Sequence, residues 1–106
     1  MPIIENEPFF SCISTRRCRQ ILALLFDKSM SSSELIQVLG KDAPKYRQTI
    51  NKNLSKLESC NLIMRTYDFK NKHFVYSTIF KEIIIKFENK TLVIELRPKQ
   101  NNEIYP

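Results

Sequence analysis

At 106 residues the chain has the length of one domain, enough to bury about two-thirds of its unfolded surface but not to enclose a deep cleft between lobes. Its 17 Lys and Arg outnumber 11 Asp and Glu, giving a net charge of +6 that favours a polyanionic partner. One Gly and one His leave neither a Gly-rich phosphate loop nor a Ser/His/Asp set available, so no enzyme, cofactor or catalytic residue is expected.

No window approaches the ~18 apolar residues of a membrane span. The opening "MPIIENEPFF" lacks the basic start and apolar core of a signal peptide, so a cytoplasmic protein with no membrane partner is expected. Cys12, Cys18 and Cys60 are odd in number and lack C-x-x-C spacing, which argues against a disulfide framework and a structural zinc site. They read either as buried or bystander thiols or, in a hyperthermophile, as partners in an inter-chain disulfide.

In chain order, residues 1–13 show no period and read as an arm that packs Ile3, Ile4, Phe9 and Phe10 on something. In "STRRCRQILALLFDKS" the apolar positions Cys18, Ile21, Leu22 and Leu25 recur at i, i+3, i+4 and i+7, which predicts a helix over 15–27 with Ser14 or Thr15 as its cap. In "MSSSELIQVLGKD", Ser31 and Glu34 have capping-box spacing, Met30 can staple the start and Gly40 can stop the end. A short helix over 32–39 burying Leu35, Val38 and Leu39 follows.

The next segment, "DAPKYRQTINKNLSKLESCNL", predicts the longest helix, 43–60, with Asp42 as cap, Pro44 in the first turn and Asn61 as a left-handed stop. Tyr46, Ile50, Leu54 and Leu57 form its apolar stripe. "LIMRTYDFKNKHFVYSTI" then places β-branched and aromatic residues on both sides of the polar tip "FKNK", the pattern of a hairpin over 63–79.

Residues 81–97 fit either a buried helix or a second hairpin. Folding them about Asn89-Lys90 pairs Glu88 with Thr91, Phe87 with Leu92, Ile85 with Ile94 and Ile83 with Leu96. That sorts the apolar residues onto one face and Lys86, Glu88 and Glu95 onto the other, as no helical wheel does, so the hairpin is favoured. The tail 98–106 has too little apolar content to order itself.

Charge is not spread evenly: between Lys41 and Lys72 eight basic residues face three acidic ones, a surplus of five. On a 3.6-residue period Arg47, Gln48, Asn51, Lys52 and Ser55 lie off the apolar stripe, where amide and guanidinium groups are free to meet bases or phosphates. Lys45, Lys52 and Lys56 suit phosphates, and Arg65, Lys70 and Lys72 follow on the basic hairpin. His73 has no partner spacing for a metal or catalytic dyad and reads as a surface residue, while Phe69, Phe74 and Tyr76 read as cross-strand packing rather than base-stacking groups.

The stretches "MSSSELIQVLG" and "TINKNLSKLESCNLIMR" resemble ArsR/MarR-type winged helix-turn-helix transcriptional regulators, particularly the small versions in archaea and their viruses. Leu54, Leu57, Leu62 and Ile63 hold the places of that family's helix-to-hairpin pattern, and the resemblance covers about residues 15–79. Asn61 stands where the family usually has Gly, and the connection from Gly40 to Thr49 is a few residues longer.

The resemblance implies an α+β winged helix-turn-helix over 14–80, with three helices and a basic β-hairpin wing; the hairpin favoured over 81–97 by its alternation is an extra C-terminal element. It also implies sequence-specific binding of double-stranded DNA. Helix 43–60 would enter the major groove, with Gln48, Thr49, Asn51 and Lys52 in the base-reading half, and the wing 63–79 would lie along the backbone or minor groove. The family's paired-cysteine metal motif is absent, so no metal is expected.

Helix-turn-helix proteins commonly read two half-sites as dimers. The apolar face of the 81–97 hairpin, with Phe9, Phe10 and the first helix, is a candidate homodimer surface or equally the cover of the monomer's own core. A winged-helix module that binds protein rather than DNA is the alternative.

Overall fold

The structure, a computed structural model, describes residues 6–99. Four helices and two separate antiparallel two-stranded sheets give a mixed α+β fold: α1 Asn6–Ile13, α2 Arg16–Asp27, α3 Ser32–Leu39, α4 Arg47–Ser59, β1 Met64–Asp68, β2 His73–Ser77, β3 Phe80–Glu88 and β4 Thr91–Pro98.

The expected irregular arm is instead helical over α1. Pro8 falls in the first turn, where its missing N–H is no loss, and Phe9 and Cys12 are buried one turn apart. Eight residues offer one apolar pair, too few for a period. Phe10 stays 37% exposed, and the expected packing of Ile3 and Ile4 lies outside the described residues, as does most of the tail. The carbonyls of Ile13 and Ser14, at the end of α1, accept from the Arg19 guanidinium at 2.6 and 2.9 Å, so a side chain of α2 closes the junction. Thr15 occupies the N-cap position of α2 but makes no side-chain cap bond.

The capping box of α3 is present. Ser31 Oγ accepts from the Glu34 amide at 3.2 Å, and the Ser31 amide donates to Glu34 Oε1 at 3.1 Å. Gly40 follows with φ 55°, a conformation a side chain would strain. Of the three residues expected inside, Leu35 is fully buried, Leu39 is half-buried and Val38 is 54% exposed. A helix of two turns has room for one narrow stripe.

The longest helix starts four residues later than its sequence suggests. Gly40–Asp42 form one 3-10 turn, and Ala43 is extended (φ −66°, ψ 144°), as the ring of a following proline requires. Pro44 therefore lies in the connection rather than in the helix, and Asp42 is not its cap. Tyr46 takes the N-cap position and is 61% exposed, off the buried stripe of Ile50, Leu54 and Leu57. At the other end Asn61 has φ 60°, and the Leu62 amide donates back to Leu57 at 3.1 Å, which closes α4 and turns the chain into β1.

Strands β1 and β2 pair from Met64↔Ser77 to Asp68↔His73. Met30 joins their edge, donating to and accepting from the backbone of Tyr76 at 3.1 and 2.8 Å, so the segment before α3 is tied to the hairpin after α4.

Residues 80–98 form a hairpin, with Asn89 and Lys90 (φ 50° and 64°) as a two-residue turn and Ile85 opposite Ile94, the register expected from the alternation. Its apolar face divides along its length. Leu96 and Ile94 are buried near the base, where Phe80 meets Phe26 edge-to-face at 5.3 Å, while Ile85 and Phe87 near the turn are 47% and 80% exposed. On the other face Lys86 pairs with Glu88 and Glu95 at 2.6 and 2.7 Å.

The core gathers Phe9, Ile21, Leu25, Leu35, Ile50 and Leu54 with Phe80 and Ile94, so all four helices and the second hairpin contribute. Cys12 and Cys60 are joined in an intra-chain disulfide across 48 residues, fastening α1 to the end of α4. This corrects the expectation of unpaired or inter-chain thiols. An odd cysteine count says nothing of which two meet, and the third, Cys18, is the buried free thiol.

Candidate nucleic-acid interface

Because α4 buries Ile50, Leu54 and Leu57, the 3.6-residue period turns its remaining positions outward in three sets. Arg47, Asn51 and Ser55 fall on the flank toward α3 and β1, where they line a groove of about 350 Å³ with Ser32, Arg65 and Tyr76. Gln48 and Lys52 stand exposed on the crest. Thr49 and Lys56 are half-buried on the opposite flank, toward α2. There burial pushes the Cys18 thiol up, and the nearby Lys56 and Arg17 charges partly oppose the rise.

Lys45 precedes the helix on the exposed bend, its ammonium 5.6 Å from the Tyr46 ring centre. The structure thus brings Arg47, Asn51, Ser55 and Arg65 together and sets Thr49 and Lys56 apart from them.

Arg65 is held at the groove by two neighbours. Its guanidinium lies 4.6 Å from the Phe74 ring centre, and its Nε is 3.7 Å from Glu58 Oε2. Nothing in the sequence marks Glu58 as a site residue. One turn beyond Ser55 on the same flank, it puts a carboxylate into the groove and sets Arg65's direction, although so open an ion pair adds little stability.

Ser31, Ser32 and Ser33 were likewise legible only as a helix start, yet they form the groove's other wall. His73 is half-buried rather than a surface residue, and its Nδ1 is buried without a hydrogen-bond partner.

At the far end of the first hairpin Lys70 and Lys72 are exposed. Asp68 organises the turn between them: its carboxylate accepts from the Lys70 and Asn71 amides at 3.0 and 3.2 Å and from Asn71 Nδ2 at 2.8 Å. These bonds, that of the Asn71 side chain foremost, hold the carboxyl below its usual range.

Of the hairpin aromatics, Phe74 packs across the strands on Tyr67 at 5.1 Å, whereas Phe69 meets Tyr67 at 4.9 Å along the same side of the hairpin, and the three form a surface cluster. Phe74 is 44% and Phe69 83% exposed.

A second basic cluster, Arg16, Arg17 and Lys41, surrounds the start of α2, where Arg17 donates to the Asp42 carbonyl at 3.3 Å. Its signal in the sequence, "STRR", lay in the helix start and was absorbed there. The opposite face of the first hairpin, with Met64, Thr66 and Val75, borders a separate hollow of about 510 Å³ that includes none of the sequence-predicted residues.

Guanidinium, amide and hydroxyl groups on one helix flank, with ammonium groups on a rigid turn beside it, can donate to planar or anionic acceptors along an extended ligand. No group of three or more His, Cys, Asp or Glu suited to a metal ion occurs among the described residues, and no helix there is long and apolar enough to cross a membrane. No family model matches the chain, and neither a curated protein nor a solved structure is significantly similar to it.

Proposed function

We propose that this chain is a sequence-specific, double-stranded DNA-binding transcriptional regulator with a winged helix-turn-helix plan. In this reading α2, α3 and α4 are the three helices, α4 enters the major groove, and β1–β2 is the wing on the flanking backbone or minor groove. The observation that carries it is the shared groove, in which Arg47 and Asn51 of α4 stand beside Arg65 of the hairpin, with Lys70 and Lys72 beyond. The Met30–Tyr76 bridge supports the same plan, because it fixes the hairpin against the segment that leads into α3.

Arg47 reads guanine and Asn51 and Gln48 read adenine, while Lys45, Lys52, Lys70 and Lys72 neutralise phosphates. Lys56 and Thr49, on the flank toward α2, contribute least. The protein acts as a homodimer in the cytoplasm. A disulfide such as Cys12–Cys60 persists inside cells chiefly in hyperthermophiles, which suits an archaeal source or its virus.

Fluorescence anisotropy on random and source-genome duplexes across a salt series tests the reading. A steep fall of log affinity with log salt, with one genomic fragment retained best, is the expected result. Failure to bind any duplex at low salt would transfer the exposed Phe87 and Ile85 to the second reading, a winged-helix module that docks on protein.

A further inference from the structure

Phe69 is 83% exposed, more than any other large apolar side chain among the described residues, and it stands at the tip of the basic hairpin directly before Lys70. An isolated exposed apolar residue needs no explanation, but this one is built in on three sides.

Beneath it, the edge-to-face contact with Tyr67 continues through a second with Phe74 to the Arg65 guanidinium, a row of touching groups leading from the tip back to the groove. Beside it, the three hydrogen bonds accepted by Asp68 fix the turn. Flanking it, the exposed Lys70 and Lys72 supply two cations, the second held in a left-handed conformation with φ 57°. Three residues, Thr66, Tyr67 and Asp68, lie between Arg65 and Phe69, so the backbone advances about 13 Å from one to the other toward the tip, at roughly 3.3 Å per residue.

We infer that Phe69 is a wedge that inserts between two base pairs of duplex DNA while Lys70 and Lys72 neutralise the phosphates on either side. This rests on the DNA-binding reading and deepens it: the hairpin deforms the duplex as well as positioning the protein. Apolar side chains that enter a base step unstack it, kink the helix and reduce its twist. A phenyl ring on a fixed turn loses little freedom on doing so. A surface for stacking single-stranded bases would need several open ring faces, whereas Arg65 occupies a face of Phe74 and Tyr67 packs against both neighbouring rings. The row therefore favours one inserted ring over a platform.

The experiment is to saturate a relaxed closed-circular plasmid with the full-length disulfide-bonded protein, treat it with a topoisomerase, remove the protein and read the linking number on a gel. The wild type is expected to leave a linking deficit that grows with occupancy. Phe69→Ala, compared at equal occupancy, should reduce the deficit about five-fold or more, and Phe69→Trp should keep it. The Lys70→Ala/Lys72→Ala pair should need more protein for the same occupancy yet give the same deficit per bound molecule.

An unchanged deficit for Phe69→Ala, or tighter binding of single strands than of duplex, overturns the wedge while leaving DNA binding intact. No retention of any duplex by the wild type overturns both. Phe69 lies outside the core, and circular dichroism on the alanine variant verifies that the fold is unchanged.

Discussion

At the scale of single residues, two kinds of hydrogen-bond donor separate by position. Arg47 and Asn51 sit on a rigid helix flank beside Arg65, so truncating either removes a directional donor. Arg47→Ala and Asn51→Ala are each expected to weaken binding of the preferred duplex by about 1–3 kcal/mol while leaving random DNA nearly unaffected. Lys70→Ala should instead weaken all sequences alike and reduce the salt slope by about one. Anisotropy on both duplexes measures the difference, and equal losses on the two would remove base reading from α4. Thr49 and Lys56 share the helix but not the flank, so their alanine variants should show the smaller effects.

The elements explain why the groove exists. Strand β1 follows α4 after four residues, among which left-handed Asn61 turns the chain and the Leu62 amide donates back to Leu57, so the hairpin rises directly from the helix end. The start of α3, which supplies the facing wall, is fixed by the Ser31–Glu34 box. Ser31→Ala removes that cap from a helix of only two turns and is expected to cost about 1 kcal/mol, or roughly 4–8 °C of melting temperature in a domain this small. Thermal melts by circular dichroism would show it, and a shift below about 1 °C would mean the fold, not the cap, holds α3 in place. Val38 illustrates the converse, an apolar residue at helical spacing that remains 54% exposed.

For the whole molecule, the Cys12–Cys60 bond and the second hairpin decide behaviour that no single element shows. Closing 48 residues of chain stabilises the fold by about 4 kcal/mol on a loop-entropy account. Reduction with dithiothreitol, or Cys60→Ala, is therefore expected to lower the melting temperature by more than about 10 °C. An unshifted melt on reduction would show that α1 is held by Phe9 packing alone.

The same hairpin face that buries Ile94 and Leu96 leaves Ile85 and Phe87 open beyond the core, so core cover accounts for one half of the surface and the other half is the contact of the proposed dimer. In the proposed dimer, Phe87→Glu should shift the protein to monomers in sedimentation velocity. It should also cost affinity for a two-site operator more than for a half-site. Unchanged sedimentation would move the dimer contact elsewhere.

What the sequence determined by itself was local: the period of α2, the Ser31–Glu34 box, the left-handed stop at Asn61 and the alternation that pairs Ile85 with Ile94. Each of these is settled within a few residues by backbone sterics, side-chain capping or strand pleat, and so can be read without the rest of the chain.

The late start of α4 is local as well, though its signal, the proline penalty on Ala43, competes in the sequence with Asp42 as a plausible cap. Only the tertiary structure decided that Cys12 meets Cys60, that α1 has a core to fold against, that Glu58 enters the groove beside Arg65, and that Thr49 and Lys56 leave it. Those outcomes join residues about 7 to 48 positions apart or depend on which side of a helix its neighbours occupy, and a one-dimensional period carries neither kind of information.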